Sequence, residues 1–297
     1  MKKLLLNLFL SCFFFAVING QETNFYVSSA GNDASDGKSP QTAFGTIERA
    51  QEAVRKVKEN NNNITSVNVF IKGGDYQLSQ PLVFKPEDSG SEKMQINWQP
   101  MPGEKVQISG GKKITGWKKG KNGIWQTSIP EVKEGKWYFQ KIWVNGETRF
   151  RARTPNSGFY KVSKVFFPEG NPPNKWYTRT KSFEFAKGDI NPKWTNLKDV
   201  VVIVYHFWTD SHMPIESVDE KTNVVTFQFE DSKQFSDDFS TRGARYIVEN
   251  VFEALDSPGE WYLNRAKVIL YYMPLPEENM NSVEVIAPAI TRLVSFE

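Results

Sequence analysis

Cysteine and histidine are scarce in this sequence, and neither sign of charge dominates it. The 297 residues include one cysteine and two histidines, with 37 Lys and Arg against 34 Asp and Glu. A single cysteine excludes an intrachain disulfide framework, and this composition does not support a zinc site built from Cys and His. Because no run of Lys and Arg forms a basic stripe, we predict no nucleic-acid partner. We also expect no metal and no other cofactor.

Long apolar runs are missing after the first twenty residues. Near the start, two lysines precede an apolar block at 8–18, and the small Gly20 follows, which is typical of a secretory signal peptide. A membrane-spanning helix needs about 18 or more apolar residues, so we predict no membrane span. The mature protein is expected to be secreted or periplasmic. Lipid anchoring at Cys12 is less favoured, because apolar residues continue beyond it.

The first part of the chain contains one amphipathic helix followed by short β runs. An apolar stripe formed by Ile47, Ala50, Val54 and Val57 predicts an amphipathic helix. Thr46 is a suitable N-cap for this helix. Short β runs separated by Gly- and Pro-containing turns then follow at 67–71, 82–84, 95–98 and 106–108. This spacing fits either a sandwich or a coiled solenoid. A helix ahead of the strands favours the solenoid, whose open apolar end needs a cap.

Beyond residue 111 the pattern changes. The β runs lengthen, as in VVVIVYHFW, and tryptophan becomes frequent. We therefore predict an inserted β-rich domain over 112–280. Short alternating β runs return in the last segment, 281–297.

Two segments are the most distinctive of the sequence, VNGETRFRARTPN at 144–156 and ENVFEALDSPGEWYLNR at 249–265. Together with GGDYQL, they resemble the N-terminal half of secreted right-handed parallel β-helix proteins related to glycoside hydrolase family 141. The resemblance implies an all-β fold, namely the start of a right-handed parallel β-helix with an N-terminal capping helix, interrupted by a sandwich-like insertion. The domains would be a signal peptide (1–20), cap and first coils (21–111), insertion (112–280) and return (281–297).

The same resemblance implies activity on plant cell-wall polysaccharides. In such hydrolases the catalytic carboxylates lie in a β-helix groove that follows the part matched by this chain, so the fragment is expected to lack them. We identify no catalytic residue here, because the candidate acids sit beside Gly, Ser or Pro, where turn and cap residues belong. Rival interpretations are a non-catalytic polysaccharide-binding module and an inert solenoid fragment.

The segment YHFWTDSH contains both histidines of the chain. A continuous strand would place alternate side chains on one face, and these would be His206, Trp208, Asp210 and His212. Such a set could line a sugar site or simply pack. Against the continuous strand, TDS resembles the beginning of a turn that would break the alternation, and a metal is disfavoured because a third strong ligand is missing. We select His206 and Trp208 as candidate saccharide-binding residues.

The segment ETRFRAR places Arg149, Arg151 and Arg153 on one face. Guanidinium groups at this spacing could clamp the carboxylate of a uronic acid, or pair with acids of the 249–261 segment across an interface. Arg153 is the third candidate saccharide-binding residue. A further expectation is self-association, because an uncapped β-helix end exposes a strand edge.

Overall fold

The computed structural model describes residues 20–60, 63–133, 135–167, 179–237 and 242–297. Within these ranges the regular secondary structure is mostly β-strand, with one α-helix and several short 3-10 turns, which confirms the all-β prediction. Of the predicted signal peptide, only Gly20 lies within the described residues, so neither that prediction nor the one for Cys12 falls on the described part of the chain. Contacts divide the chain into two compact units, the first ending at Gly110 and resuming over Ile290–Glu297, the second comprising Gly111–Ala289.

Helix α1, Ile47–Asn60, belongs to the first unit and confirms the predicted amphipathic helix. The Thr46 Oγ1 accepts a hydrogen bond from the Arg49 N–H at 3.1 Å, as an N-cap should. The Asp33 carboxylate supports the same end by accepting from the Gly45 and Thr46 N–H groups. No helix in the described part of the chain is long and apolar enough to cross a membrane.

The strands of the first unit are all paired in parallel. One sheet has the order β1-β2-β5, and two further pairs are β3-β6 and β4-β23. Their bounds are β1 Gln21–Val27, β2 Ile64–Ile71, β3 Gly74–Gln77, β4 Leu82–Phe84, β5 Gln95–Pro100, β6 Val106–Ser109 and β23 Val294–Phe296. The four β runs predicted from the sequence at 67–108 all fall in these strands.

Equivalent residues stack in columns across β1, β2 and β5. Phe25, Val69 and Trp98 are in register and form an inward column. The preceding residues form a side-chain amide ladder, in which Asn68 Nδ2 donates to Asn24 Oδ1 at 3.0 Å and Asn97 Nδ2 donates to Asn68 Oδ1 at 2.9 Å. Because side chains alternate between faces, the ladder lies on the face opposite the column.

The second unit contains two eight-stranded sheets. The first, with order β7-β22-β10-β11-β20-β21-β9-β8, has the bounds β7 Gly111–Ile114, β8 Lys118–Lys119, β9 Trp125–Ser128, β10 Ile142–Val144, β11 Glu147–Arg151, β20 Glu260–Asn264, β21 Ile269–Tyr272 and β22 Val285–Pro288. Its pairings are antiparallel except for β11 with β20. The buried core against it includes Phe139, Trp261 and Tyr272.

The second sheet of this unit has the order β12-β19-β16-β17-β18-β15-β14, and β13 also pairs with β19. Its strands are β12 Arg153–Thr154, β13 Tyr160–Lys161, β14 Lys164–Val165, β15 Thr180–Glu184, β16 Val201–Tyr205, β17 Asp210–Asp219, β18 Val224–Asp231 and β19 Arg245–Glu249. All of its pairings are antiparallel, and its buried face carries Phe183, Phe227 and Tyr246.

The return to the first unit comes later than the sequence suggested. Residues from 281 were assigned to the returning segment, but β22 pairs with β7 and β10, both strands of the second unit. The division therefore falls between Ala289 and Ile290. Short alternating strands look alike in both units, so the local pattern could not tell which strands Val285–Pro288 would pair with.

Candidate functional site

A tight hairpin connects β16 to β17 in the second unit. Strand β16 ends at Tyr205 and β17 begins at Asp210, and the His206 N–H donates to the Thr209 carbonyl at 2.8 Å. The continuous strand considered for residues 206–212 is therefore not formed, and the turn begins at His206, three residues before the TDS segment. The four side chains chosen by period two do not share one face, because the turn interrupts the alternation after Tyr205.

His206 is buried directly behind this hairpin. Its side chain is 0% exposed, and Nε2 lies 3.1 Å from Ser211 Oγ and 3.3 Å from Asp231 Oδ2. Burial opposes ionisation of Asp231, but hydrogen bonds from His206, Ser211 and the Lys233 N–H outweigh burial and lower the pKa of that carboxyl. The histidine thus fixes the base of the hairpin to β18.

Trp208 lies at the opposite extreme of exposure. Its side chain is 66% exposed, next to Phe207 at 64%, and the two rings meet edge to face with centroids 4.8 Å apart. A second edge-to-face pair joins Phe159 and Tyr205 at 5.1 Å. Monomeric proteins seldom expose several large aromatic side chains together without a binding role, so this hairpin is the leading candidate for a contact surface.

A cavity of about 560 Å³ opens beside the hairpin, and we call it the hairpin cleft. Strand register explains its wall. Lys161 on β13 is paired with Arg245 on β19, which is paired with Tyr205 on β16, so three neighbouring strands place these side chains in one row. The described residues that line the cleft include Lys161, Tyr205, His206, Phe207, Asp237, Arg242 and Arg245.

The cleft is cation-rich. Among the residues that the structure describes, its lining holds Lys161, Arg242 and Arg245 and one carboxylate, that of Asp237, which lies 3.3 Å from Arg242 Nη2. The Arg245 guanidinium stacks over the Phe159 ring at 5.0 Å. Burial raises the pKa of Tyr205, as does the nearby Glu249, so its hydroxyl stays protonated and is available as a hydrogen-bond donor.

The three arginines of the 147–153 segment have separate environments. Arg149 pairs with Glu278 at 2.7 Å and donates to the Tyr272 hydroxyl at 3.1 Å. Arg151 is 5% exposed, and its guanidinium lies 5.5 Å from the Trp261 ring centroid. Arg149 therefore does not join a common clamp face, and its ion-pair partner lies outside the 249–261 segment. Arg151 and Arg153, in contrast, both lie near Glu249 of that segment, where their charges partly offset the burial that raises the pKa of Glu249.

Arg153, the third selected residue, does not line the hairpin cleft. Its Nη2 donates to the Asn156 carbonyl at 3.0 Å, and its guanidinium stacks over Phe150 at 4.8 Å. On the sheet Arg153 is paired with Glu249, which lies four residues from Arg245 on β19. Because Arg245 and Glu249 are an even number of positions apart on β19, Arg153 lies on the same face of the sheet as Lys161 but farther along it.

Sequence reasoning missed Lys161, Tyr205 and Arg245. Tyr205 carried a weak signal, because it closes the apolar run VVIVY immediately before two aromatic residues. Nothing local marks Lys161 or Arg245, which meet only through the pairing of β13 with β19.

A second cavity, of about 700 Å³, lies in the first unit. It is bordered by the edge strands β5, β6 and β23, and its wall is mainly apolar, including Phe84, Ile96, Trp98, Ile108 and Phe296. The charged residues in its described lining are Lys85, Asp88 and Glu297, and the Asp88 carboxylate is already bound by Arg55 and the Lys85 N–H. The hairpin cleft, with three cations in its described lining, is the better candidate for recognising a polar ligand. Among the residues that the structure describes, no group of three or more His, Cys, Asp or Glu side chains is placed to hold a metal.

Comparison with known protein families gives a match that lies within the second unit. Residues 122–275, slightly more than half of the chain, match the family model of the GH141 insertion domain. No curated protein sequence matches the chain.

Among solved structures, one described as "Glycoside hydrolase" is similar over 93% of this chain, with 23% sequence identity and a TM-score of 0.77. The match covers 48% of that protein, so the chain spans about half its length. A second solved structure is described as "The complex structure of XylC with xylose". The match covers 92% of this chain and 32% of that protein, with 14% sequence identity and a TM-score of 0.39.

Proposed function

The chain belongs to the GH141 insertion domain family, and from this premise we propose that it is a carbohydrate-active protein of the glycoside hydrolase type. The fold shared with a solved glycoside hydrolase supports the proposal. We further propose that the protein is exported, as its N-terminal sequence suggests, and that its substrate is a plant cell-wall polysaccharide. The reaction of the complete hydrolase would be glycosidic bond cleavage by two carboxyl groups about 5–10 Å apart.

For this chain we propose saccharide binding at the hairpin cleft. The observation that carries the proposal is the exposure of Phe207 and Trp208 beside a cavity with convergent polar groups. Aromatic faces pack against the apolar faces of sugar rings, while a few placed donors fix orientation. Tyr205 supplies both a ring and a hydroxyl. Trp208, selected from the sequence, retains its proposed role as a sugar contact, whereas buried His206 supports the hairpin.

For the first unit we propose the first coils of a right-handed parallel β-helix. Support comes from its three sets of parallel pairings and from the columns of stacked residues. Strands β5, β6 and β23 each form one edge of their sheet, and Phe296 beside them is 82% exposed. Because unpaired edges recruit other strands, we also propose that copies of this chain self-associate through these edges.

A glycan array tests the binding proposal. The wild-type protein is compared with a Phe207→Ala/Trp208→Ala double variant, and Phe229→Ala is the matched control, since Phe229 is also 50% exposed but does not line the cleft. We expect wild type and control to bind the same glycans and the double variant to lose at least tenfold in affinity, about 1.4 kcal/mol.

Two results would contradict the proposal. One is a folded wild-type protein that binds no glycan, which is the expectation for an inert scaffold. The other is equal binding by the double variant and the control, which would move the site elsewhere. Reducing-sugar release from the bound glycans would add catalysis to binding.

A further inference from the structure

The row across β13, β19 and β16 holds two like charges directly opposite one another. Lys161 and Arg245 are register partners on adjacent antiparallel strands, and both line the hairpin cleft. Side chains so placed have Cβ atoms about 5 Å apart, and like charges there are destabilising. No carboxylate within the described residues forms an ion pair with either of them, so the sheet retains an unfavourable arrangement that an anion would relieve.

The surrounding groups increase this excess of positive charge. Arg242 adds a third cation to the cleft, and Asp237, the one acidic residue among the described part of the lining, lies 3.3 Å from it. The next residue along the row beyond Tyr205 is Asp210, whose carboxylate lies 3.2 Å from His212 Nε2. The local field of the cleft therefore favours a negatively charged ligand over a neutral one.

We propose that the hairpin cleft binds a saccharide that carries an anionic group. The inference rests on the proposed saccharide binding and adds its chemical class. The sugar ring packs against Tyr205 and Phe207, and the anionic group lies between Lys161 and Arg245. Arg245 is suited to this task, because a guanidinium makes paired hydrogen bonds to a carboxylate, and stacking on Phe159 holds its plane. The anion is a uronic acid carboxylate or a sulfate ester, which present similar acceptor oxygens.

Calorimetric titration with four matched ligands tests the proposal. These are a galacturonic acid tetramer, the same tetramer fully methyl-esterified, a sulfated galactose tetramer and neutral xylotetraose. The protein is used as the full chain in three forms: wild type, Lys161→Gln/Arg245→Gln, and Lys118→Gln/Lys119→Gln. The last is the matched control, because it removes two exposed cations of β8 in the same unit that do not line the cleft. Near-ultraviolet circular dichroism confirms that each form is folded.

We expect wild type and control to bind an acidic tetramer at least tenfold more tightly than the methyl ester, and the difference to shrink as salt is added. The Lys161→Gln/Arg245→Gln variant should lose about tenfold for the acidic ligand and little for the ester. Preference between the galacturonic acid and sulfated tetramers identifies the anion.

The failures are distinguishable. Equal affinity for acid and ester, or an equal loss in the control variant, overturns the anionic class and leaves saccharide binding intact. Absence of binding to all four ligands by folded wild-type protein overturns both the class and the proposed binding site.

Discussion

The two units of this chain obtain β structure in different ways. In the first, parallel strands stack equivalent residues in columns, with an amide ladder on one face and an apolar column on the other. In the second, mostly antiparallel strands enclose large aromatic cores. The first unit has a single tryptophan, Trp98, in its described residues, whereas the second has Trp117, Trp125, Trp137, Trp143, Trp194, Trp208 and Trp261. Register thus depends on repetition in one unit and on individual bulky side chains in the other.

The sharpest test of this contrast is Trp261→Ala. Trp261 is fully buried, its ring centroid lies 5.8 Å from that of Phe139, and its Nε1 donates to the Arg149 carbonyl at 3.1 Å. Removing it should lower the free energy of unfolding of the second unit by about 3–5 kcal/mol. Hydrogen exchange measured over residues 111–289 reports the loss.

Trp208→Ala is the matched control for this substitution. The same side chain is removed from a position that is 66% exposed, so the expected change is within about 0.5 kcal/mol. If both variants destabilise the unit equally, the aromatic core does not have the role assigned to it.

The amide ladder provides the corresponding test in the first unit. Asn68 occupies its middle position and makes two side-chain hydrogen bonds within it, while Asn24 makes one. Asn68→Ala should cost roughly 1–3 kcal/mol, at about 0.5–1.5 kcal/mol per hydrogen bond, and Asn24→Ala roughly half as much. Urea denaturation followed by exchange over residues 20–110 gives both values. If the two variants lost equal free energy of unfolding, the hydrogen bonds of the ladder would not contribute additively to stability.

The smallest expected effect is a difference in pH dependence between the units. In the first, burial opposes ionisation of Asp88, but hydrogen bonds from Arg55 and the Lys85 N–H lower the pKa of this carboxyl. A lowered acid pKa contributes stability that is present above the ordinary pKa of Asp and is lost as the pH falls through the folded-state value. In the second unit, burial raises the pKa of Glu249. The sign is then reversed, so stability declines as the pH rises from the ordinary pKa of Glu through the raised value.

Two variants separate these contributions. Asp88→Asn should flatten the acid-induced loss in the first unit, and Glu249→Gln should flatten the decline with rising pH in the second. Exchange-monitored unfolding across the acid range measures both slopes, and the exposed Glu220→Gln is the control. Slopes of the same sign in the two units would contradict the assignment.

Local patterns predicted the elements better than their partners. Helix α1 and the strands of the first unit followed from short-range apolar spacing, cap and turn residues, which are properties of neighbouring residues. The start of the hairpin after Tyr205 could not be located from the sequence, because its loop, HFWT, has none of the Gly, Pro, Asn or Asp residues that usually mark turns. Aromatic residues are typical of strands, so in this segment only the following TDS suggested a turn.

The contacts of the candidate site depend on tertiary pairing and were not available from the sequence. Arg149 meets Glu278 across a long stretch of chain, and Lys161 meets Arg245 only when β13 pairs with β19. The amide ladder of Asn24, Asn68 and Asn97, in contrast, could have been predicted from the sequence. Asparagine directly precedes the inward residue in NFYV, NVFI and NWQP, and aligning those three segments gives the observed register.

That ladder has a polarity. Asn97 donates to Asn68 and Asn68 donates to Asn24, so the amide dipoles point the same way and each bond polarises the next. A polypeptide that adds to the free side of β5 would gain most by offering another amide at the matching position. Shifting it by one residue would turn that amide toward the apolar column of Phe25, Val69 and Trp98, at the desolvation cost of an unpaired polar group. The row of asparagines would therefore fix the register of any strand that paired with the free edge of β5.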